Sequence, residues 1–216
     1  EASIIDTLPS KLEKALHWSP TINKEQKEVI RYILWNMVYV EGGTANLGDN
    51  NNYPVDVASF FINRYEVSQD EWYVIMGENP SNQHRRNYPV DQVNWFNAQR
   101  FTQKLSQLSG LPFRLPFEAE WEYAARGGLK TKNFIYAGSN NAEQVAWFRE
   151  KYYNTYVSKE TGTKKPNELG LYDMSGNVYE WCMDWYDRKV PFTGNIAPVI
   201  SLSLIHISEP TRPRLI

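Results

Sequence analysis

Regular secondary structure never runs long in this 216-residue sequence. Apolar segments are short, switch period repeatedly and are cut by Gly, Pro and Asn clusters. Met37-Val-Tyr-Val40 alternates as a strand does, and Glu41-Gly42-Gly43 then turns the chain; Ser59-Phe-Phe-Ile62 reads as a second short strand. Between such pieces the period changes to that of a helix. Ile22, Val29, Ile30, Ile33 and Leu34 place apolar groups on one face of a helix from about Asn23 to Asn36. Ser68-Gln-Asp-Glu71 is a capping box for a short helix carrying Trp72 and Met76, closed by Asn79-Pro80-Ser81. Asn94 is placed to cap a helix from Trp95 to Leu108, with Ala98, Phe101, Leu105 and Leu108 as its stripe and Gly110 as its stop. Arg114-Leu-Pro116 leads into a helix from Glu118 to Arg126, ended by Gly127-Gly128. From Lys130 onward the chain reads as loop with a few short strands. Strands and helices are mixed without regular alternation, which argues for an α+β fold rather than a doubly wound parallel sheet.

Composition narrows the function. Lys plus Arg is 23 and Asp plus Glu is 25, so the net charge is -2 and bulk charge does not drive nucleic-acid binding. No apolar run approaches the roughly 20 residues that cross a bilayer. Cys182 is the single cysteine, which excludes an intrachain disulfide framework and any multi-cysteine zinc site. His17, His84 and His206 follow no metal-ligand spacing. The sequence starts at Glu1 without a charged-then-apolar leader and reads as a fragment or a mature form, with no legible address. Residues 1–36 read as an N-terminal helical extension, begun by the capping pattern Ser10-Lys-Leu-Glu13.

Five ordered segments then resemble one family. They are Met37-Val-Tyr-Val-Glu-Gly-Gly-Thr44 with Gly48; Tyr65-Glu-Val-Ser68; Pro89-Val-Asp-Gln-Val-Asn-Trp95; Arg114-Leu-Pro-Phe-Glu-Ala-Glu-Trp-Glu-Tyr-Ala-Ala-Arg-Gly-Gly128; and Asn167-Glu-Leu-Gly-Leu-Tyr-Asp-Met-Ser-Gly-Asn-Val-Tyr-Glu-Trp181. Together they are similar to the formylglycine-generating enzyme, or sulfatase-modifying factor, family, from Met37 to Tyr186. The resemblance implies a C-type-lectin-like α+β fold over residues 37–195, with low regular secondary structure, short antiparallel strands and a few helices. It also implies oxidation of a sulfatase cysteine in a Cys-x-Pro-x-Arg segment by dioxygen. Copper(I) held by two thiolates does this in catalytic members, soft ligands suiting a soft ion.

The sequence departs from that pattern where the chemistry lies. The family's thiolate pair follows an Arg-Gly-Gly-Ser-Trp-like segment that is absent here, and Cys182 is not at its position. No catalytic residue is assigned. Residues 196–216, with Ser201-Leu-Ser-Leu-Ile-His-Ile-Ser-Glu-Pro-Thr-Arg-Pro213, resemble translated sequencing-adapter read-through and are read as a non-native tail, the alternative being a genuine divergent one. Two functions stay open: a truncated copper-dependent oxidoreductase acting on a sulfatase peptide, or a non-catalytic module that binds a peptide, glycan or protein partner. An iron-dependent sulfoxide synthase branch would carry a histidine-rich upstream domain, which His17 alone does not support.

The resemblance also implies one calcium loop. Asp173 and Glu180 would supply carboxylates, and Gly176 and Val178 backbone carbonyls, to an ion that takes six to eight hard oxygens. Gly176 suits a turn that needs positive φ. The competing reading has Asp173 capping the turn and Glu180 paired with an arginine. Trp147 stands where some members place an Asn ligand of a second ion, so no second site is expected there. Tyr179, between two of the implied ligands, is the candidate groove-lining residue. Glu118, Glu120 and Glu122 read as helix-start and ion-pair carboxylates rather than as an acid/base pair, with Arg114 and Arg126 as internal partners. Phe117 takes the place of the family's capping Thr, a loss of about 1 kcal/mol. Trp95, Trp121 and Trp181 are expected in the core, each indole N–H finding a partner.

Overall fold

The computed structural model describes residues 12–48, 53–148, 157–184, 200–201 and 204–206. The expectation for Ser10 lies outside them. Helix α1 spans Lys24–Trp35. Asn23 caps it: its side chain accepts from the Gln26 N–H at 2.8 Å, and the Gln26 side chain returns the bond to the Asn23 N–H at 3.2 Å. Strand β1 is Met37–Val40, and β2 (Gly43–Leu47) with β3 (Tyr53–Val57) makes an antiparallel hairpin that the sequence pattern had shown only as a turn. Strand β4 is Phe60–Asn63.

Helix α2, Gln69–Met76, opens on Ser68 with the full capping box, the Glu71 carboxylate accepting from the Ser68 N–H at 2.6 Å. It stops at Gly77, where φ is +88°, and not at the later Asn79-Pro80-Ser81. Helix α3 runs Trp95–Ser109 from the Asn94 cap to Gly110 at φ +75°. Strand β5 (Phe113–Arg114), helix α4 (Glu118–Ala125), a 3-10 turn (Gly128–Lys130), a short helix α5 (Ala142–Val145) and strands β6 (Tyr179–Trp181), β7 (Ile200–Ser201) and β8 (Leu204–His206) complete the described elements.

The main sheet has the order β1-β4-β7-β5. Strands β1 and β4 are antiparallel, Val38 opposite Ile62, and β7 lies parallel to both β4 and β5. Strand β6 pairs antiparallel with β8. Side chains alternate across a strand, so the sheet separates two cores. Phe61 faces the first, built from Ile30, Ile33 and Leu34 of α1, Trp72 and Ile75 of α2, and Phe101 and Leu105 of α3. Trp72 stacks on Phe101 there, ring centres 5.0 Å apart. Phe60 and Ile62 face the second core, which contains Leu47, Val57, Tyr123, Ala124, Leu171 and Met174. Helix α1 therefore shares its core with residues from α2, α3 and β5.

This mixed α+β architecture, with short, mostly antiparallel strands and few helices, brings three distant pieces together. They are the exit of β4, helix α4, and the loop that ends in β6. Asn167 ties the last two. Its amide donates to the Ala124 and Ala125 carbonyls at the end of α4 (2.7 and 3.2 Å), while its oxygen accepts from the Leu169 and Leu171 N–H groups (3.0 and 3.1 Å). The Tyr172 N–H then donates to the Arg64 carbonyl just past β4 at 3.0 Å.

Candidate functional site

The loop 173–178 sits between β4 and α4, and its backbone is unusual. Asp173 and Asn177 adopt positive φ, 58° and 61°. Gly176 is not among the positive-φ positions, contrary to the expectation from its residue type. Space, not φ, requires glycine there: an added Cβ would lie 2.4 Å from the Trp147 carbonyl oxygen.

Asp173 is 2% exposed. Its Oδ2 accepts from the Gly162 N–H at 2.7 Å, while its Oδ1 is buried with no hydrogen-bond partner. A buried carboxylate oxygen left this way costs free energy unless something else neutralises it. Glu180, on β6, accepts from the Trp121 indole N–H at 2.8 Å. Burial pushes its carboxyl up to about 8; the Trp121 bond opposes the shift and the nearby Asp173 charge adds to it. Asp173 is also raised, by burial, against the pull of the Gly162 N–H.

A third carboxylate, Glu66, was not singled out in the sequence. It is 2% exposed, and burial, then Asp173, then Glu180 hold its carboxyl well above the usual range, while the Val178 and Asn177 bonds pull it down. Its only sequence signal was its place inside Tyr65-Glu-Val-Ser68, where an acid follows a strand and precedes a capping box. The contacts that matter are made to residues 111 and 112 positions later and no local pattern reports them.

Among the described residues no arginine pairs with Glu180. Arg114 grips Glu120 through two 2.7 Å bonds, and Arg126 holds Glu122 at 2.7 Å. Glu120 and Glu122 are thus structural, as their helix positions implied. Phe117 supplies no side-chain cap to α4; Asp184 does that from a distance, its Oδ1 accepting the Glu118 N–H at 2.9 Å. Phe117 instead lies under the Arg114 guanidinium, 4.9 Å from ring centre to charge.

The four residues implied for calcium fit the ion's chemistry. Both carboxylates are raised by burial, the Asp173 charge raises Glu180 further, one Asp173 oxygen is buried and unsatisfied, and the intervening turn carries the two backbone carbonyls. Among the described residues no set of three or more His, Cys, Asp or Glu side chains forms a metal cage, so any ion here would rely on those carbonyls. Copper(I) does not fit. Cys182 is the single thiol of the sequence, and burial, Asp184, Glu118, Glu180 and Glu120 all push its pKa well above the ordinary thiol value. A thiolate is therefore opposed at the one place where it could form.

The aromatic residues divide as follows. Trp181 is buried and donates to the Val93 carbonyl at 3.1 Å; Trp95 and Trp121 are half-buried and donate to the Cys182 carbonyl and to Glu180. Tyr179 is 49% exposed, next to the Glu180 carboxylate on β6. Trp147 turns its carbonyl to the Asn177 N–H at 2.8 Å, its indole to Thr163 at 2.9 Å, and its ring to the Lys164 ammonium at 3.9 Å.

Comparison with known proteins adds the following. Residues 24–199 match the sulfatase-modifying factor enzyme 1-like domain. The chain is 35% identical to the chaperone protein LppX of Paenibacillus barcinonensis, over 71% of this chain and 72% of that protein. It is 35% identical to the formylglycine-generating enzyme of Streptomyces coelicolor, over 47% of this chain and 34% of that enzyme. The structure of CarF superposes with a TM-score of 0.62 at 27% identity, covering 72% of this chain and 82% of that one. The chain thus spans about a third of the formylglycine-generating enzyme it matches.

Proposed function

Because the chain belongs to the sulfatase-modifying factor enzyme 1-like domain family, we propose that it acts as a non-catalytic protein-binding module, its contact surface set by a calcium-held turn. The observation that carries this reading is the environment of Cys182, where burial first and acidic neighbours next disfavour the thiolate that copper chemistry needs. The likeness to a protein named as a chaperone, over most of that protein's length, supports it.

In this reading Asp173 and Glu180 supply carboxylates and Gly176 and Val178 carbonyls. The ion neutralises carboxylates that otherwise repel one another. Trp121 orients the Glu180 carboxylate through its indole N–H, leaving the adjacent Tyr179 ring at the surface. An exposed aromatic on a fixed strand offers an extended protein segment a large contact at low entropic cost.

The test is binding of a labelled, extended Cys-x-Pro-x-Arg peptide and of an unfolded polypeptide, read by fluorescence anisotropy with calcium present. Binding that weakens in Tyr179→Ala, with no mass change in the peptide, is the expected result. The second reading is favoured by the likeness to the formylglycine-generating enzyme of Streptomyces coelicolor. Conversion of the peptide cysteine to formylglycine by this chain, with copper(I) and dioxygen, would overturn the first reading in favour of the second.

A further inference from the structure

Glu66 has an odd place for a structural carboxylate. It leaves the end of β4 and is 2% exposed, yet no cation pairs with it among the described residues. Its partners are two donors of the 173–178 turn. The Asn177 side-chain amide donates to Oε2 at 2.6 Å, and the Val178 N–H donates to Oε1 at 3.2 Å. Each oxygen accepts one of these bonds, so the carboxylate is turned onto the donors of the turn. A buried carboxylate held only by neutral donors and set beside two further carboxylates is a poor device for stability alone. It becomes useful if a cation enters next to it.

The same bonds fix the turn. The Asn177 N–H donates to the Trp147 carbonyl at 2.8 Å, and in a planar trans peptide this sends the Gly176 carbonyl the opposite way. Asn177 must hold φ at +61° for the chain to continue into β6. Its side chain is clamped on one side by Glu66 and on the other by Lys159, whose N–H it accepts at 2.8 Å and whose carbonyl it reaches at 3.1 Å. Glu66 thus secures the residue lying between the two carbonyls assigned to the ion.

We propose that Glu66 is a positioning residue for calcium, locking the Asn177–Val178 turn so that the Gly176 and Val178 carbonyls face the ion and adding a negative charge behind them. This inference rests on the calcium reading of the same turn. Residues that orient ligands in this way typically change metal affinity roughly 10–100-fold when altered.

The experiment uses the whole chain, stripped of metal and titrated with calcium, with affinity from calorimetry and melting temperature as a second readout. Glu66→Gln keeps the size but turns one acceptor into a donor facing a donor. Its calcium affinity is expected to fall at least about tenfold. Glu66→Asp, which keeps the charge on a shorter arm, should fall in between and serves if Glu66→Gln does not fold. Ile75→Val, a core truncation away from the turn, should lower the melting temperature and leave calcium affinity unchanged. A Glu66→Gln or Glu66→Asp protein with the unaltered protein's affinity overturns the positioning role alone. An unaltered protein that binds no calcium overturns the calcium reading and this role together.

Discussion

Removing the Glu120 carboxylate should cost this protein far more than removing any surface charge. Glu120 and Arg114 are among the most enclosed ionic groups described, with side chains 6% and 12% exposed, joined by two parallel 2.7 Å bonds. The same carboxylate accepts the Phe117 N–H at 2.9 Å, the returning half of a capping box at the start of α4. Arg114 already has its Nε buried without a partner, so it has nowhere to turn if Glu120 goes. Breaking one side of a buried pair typically costs about 3–5 kcal/mol, because the remaining charge stays buried and uncompensated. For a protein of this size Glu120→Ala should therefore lower the melting temperature by roughly 6–20 °C. Urea denaturation of Glu120→Ala, Arg114→Met and the double variant gives the coupling. The double variant should recover a large part of the loss, since replacing both charges by apolar groups removes the unpaired one. A Glu120→Ala protein within about 1 kcal/mol of the parent would refute the reasoning. It would also reopen a chemical role for that carboxylate.

In calcium-free buffer, stability should fall as pH rises from about 5 to 8. The Glu180 carboxyl, pushed up to about 8, holds in the fold a proton that the unfolded chain releases near 4.5, so its stabilising contribution is complete at low pH and is lost through that window. Melting curves with and without saturating calcium check this. The slope should shrink in Glu180→Gln and with the ion bound, and a calcium-free melting temperature that rises over the window would contradict it. Asn167→Ala removes four hydrogen bonds that join α4 to the loop before Asp173, and should cost on the order of 3 kcal/mol in urea denaturation. Gly176→Ala must move the Trp147 carbonyl away from its Cβ; it should destabilise the fold by about 1–3 kcal/mol and abolish the calcium-induced rise in melting temperature.

Much of the local structure was legible because its causes are local. The Ser68 and Asn94 caps and the Gly110 stop each depend on atoms within a few residues, and all three occur where the pattern placed them. The Arg126–Glu122 pair follows from a four-residue spacing on one helix. The β2–β3 hairpin was not legible as strands. Gly43–Leu47 alternates too weakly, and its stability comes from pairing with Tyr53–Val57 and from packing under α4.

The candidate site divides along the same line. The sequence alone, through residue types and their order, determined that Asp173, Gly176, Val178 and Glu180 share one segment, that only one thiol exists, and that Tyr179 lies between two acids. Tertiary structure alone decided that Asp173 keeps a buried, unsatisfied oxygen, that the Trp121 indole donates to Glu180, and that Asp184 caps α4 in place of Phe117. It also decided that Glu66 clamps the turn from 111 residues away. The physical reason is one of range: capping and periodicity act within a few bonds along the chain, whereas burial, desolvation and carboxylate repulsion depend on which segments the folded chain brings into contact.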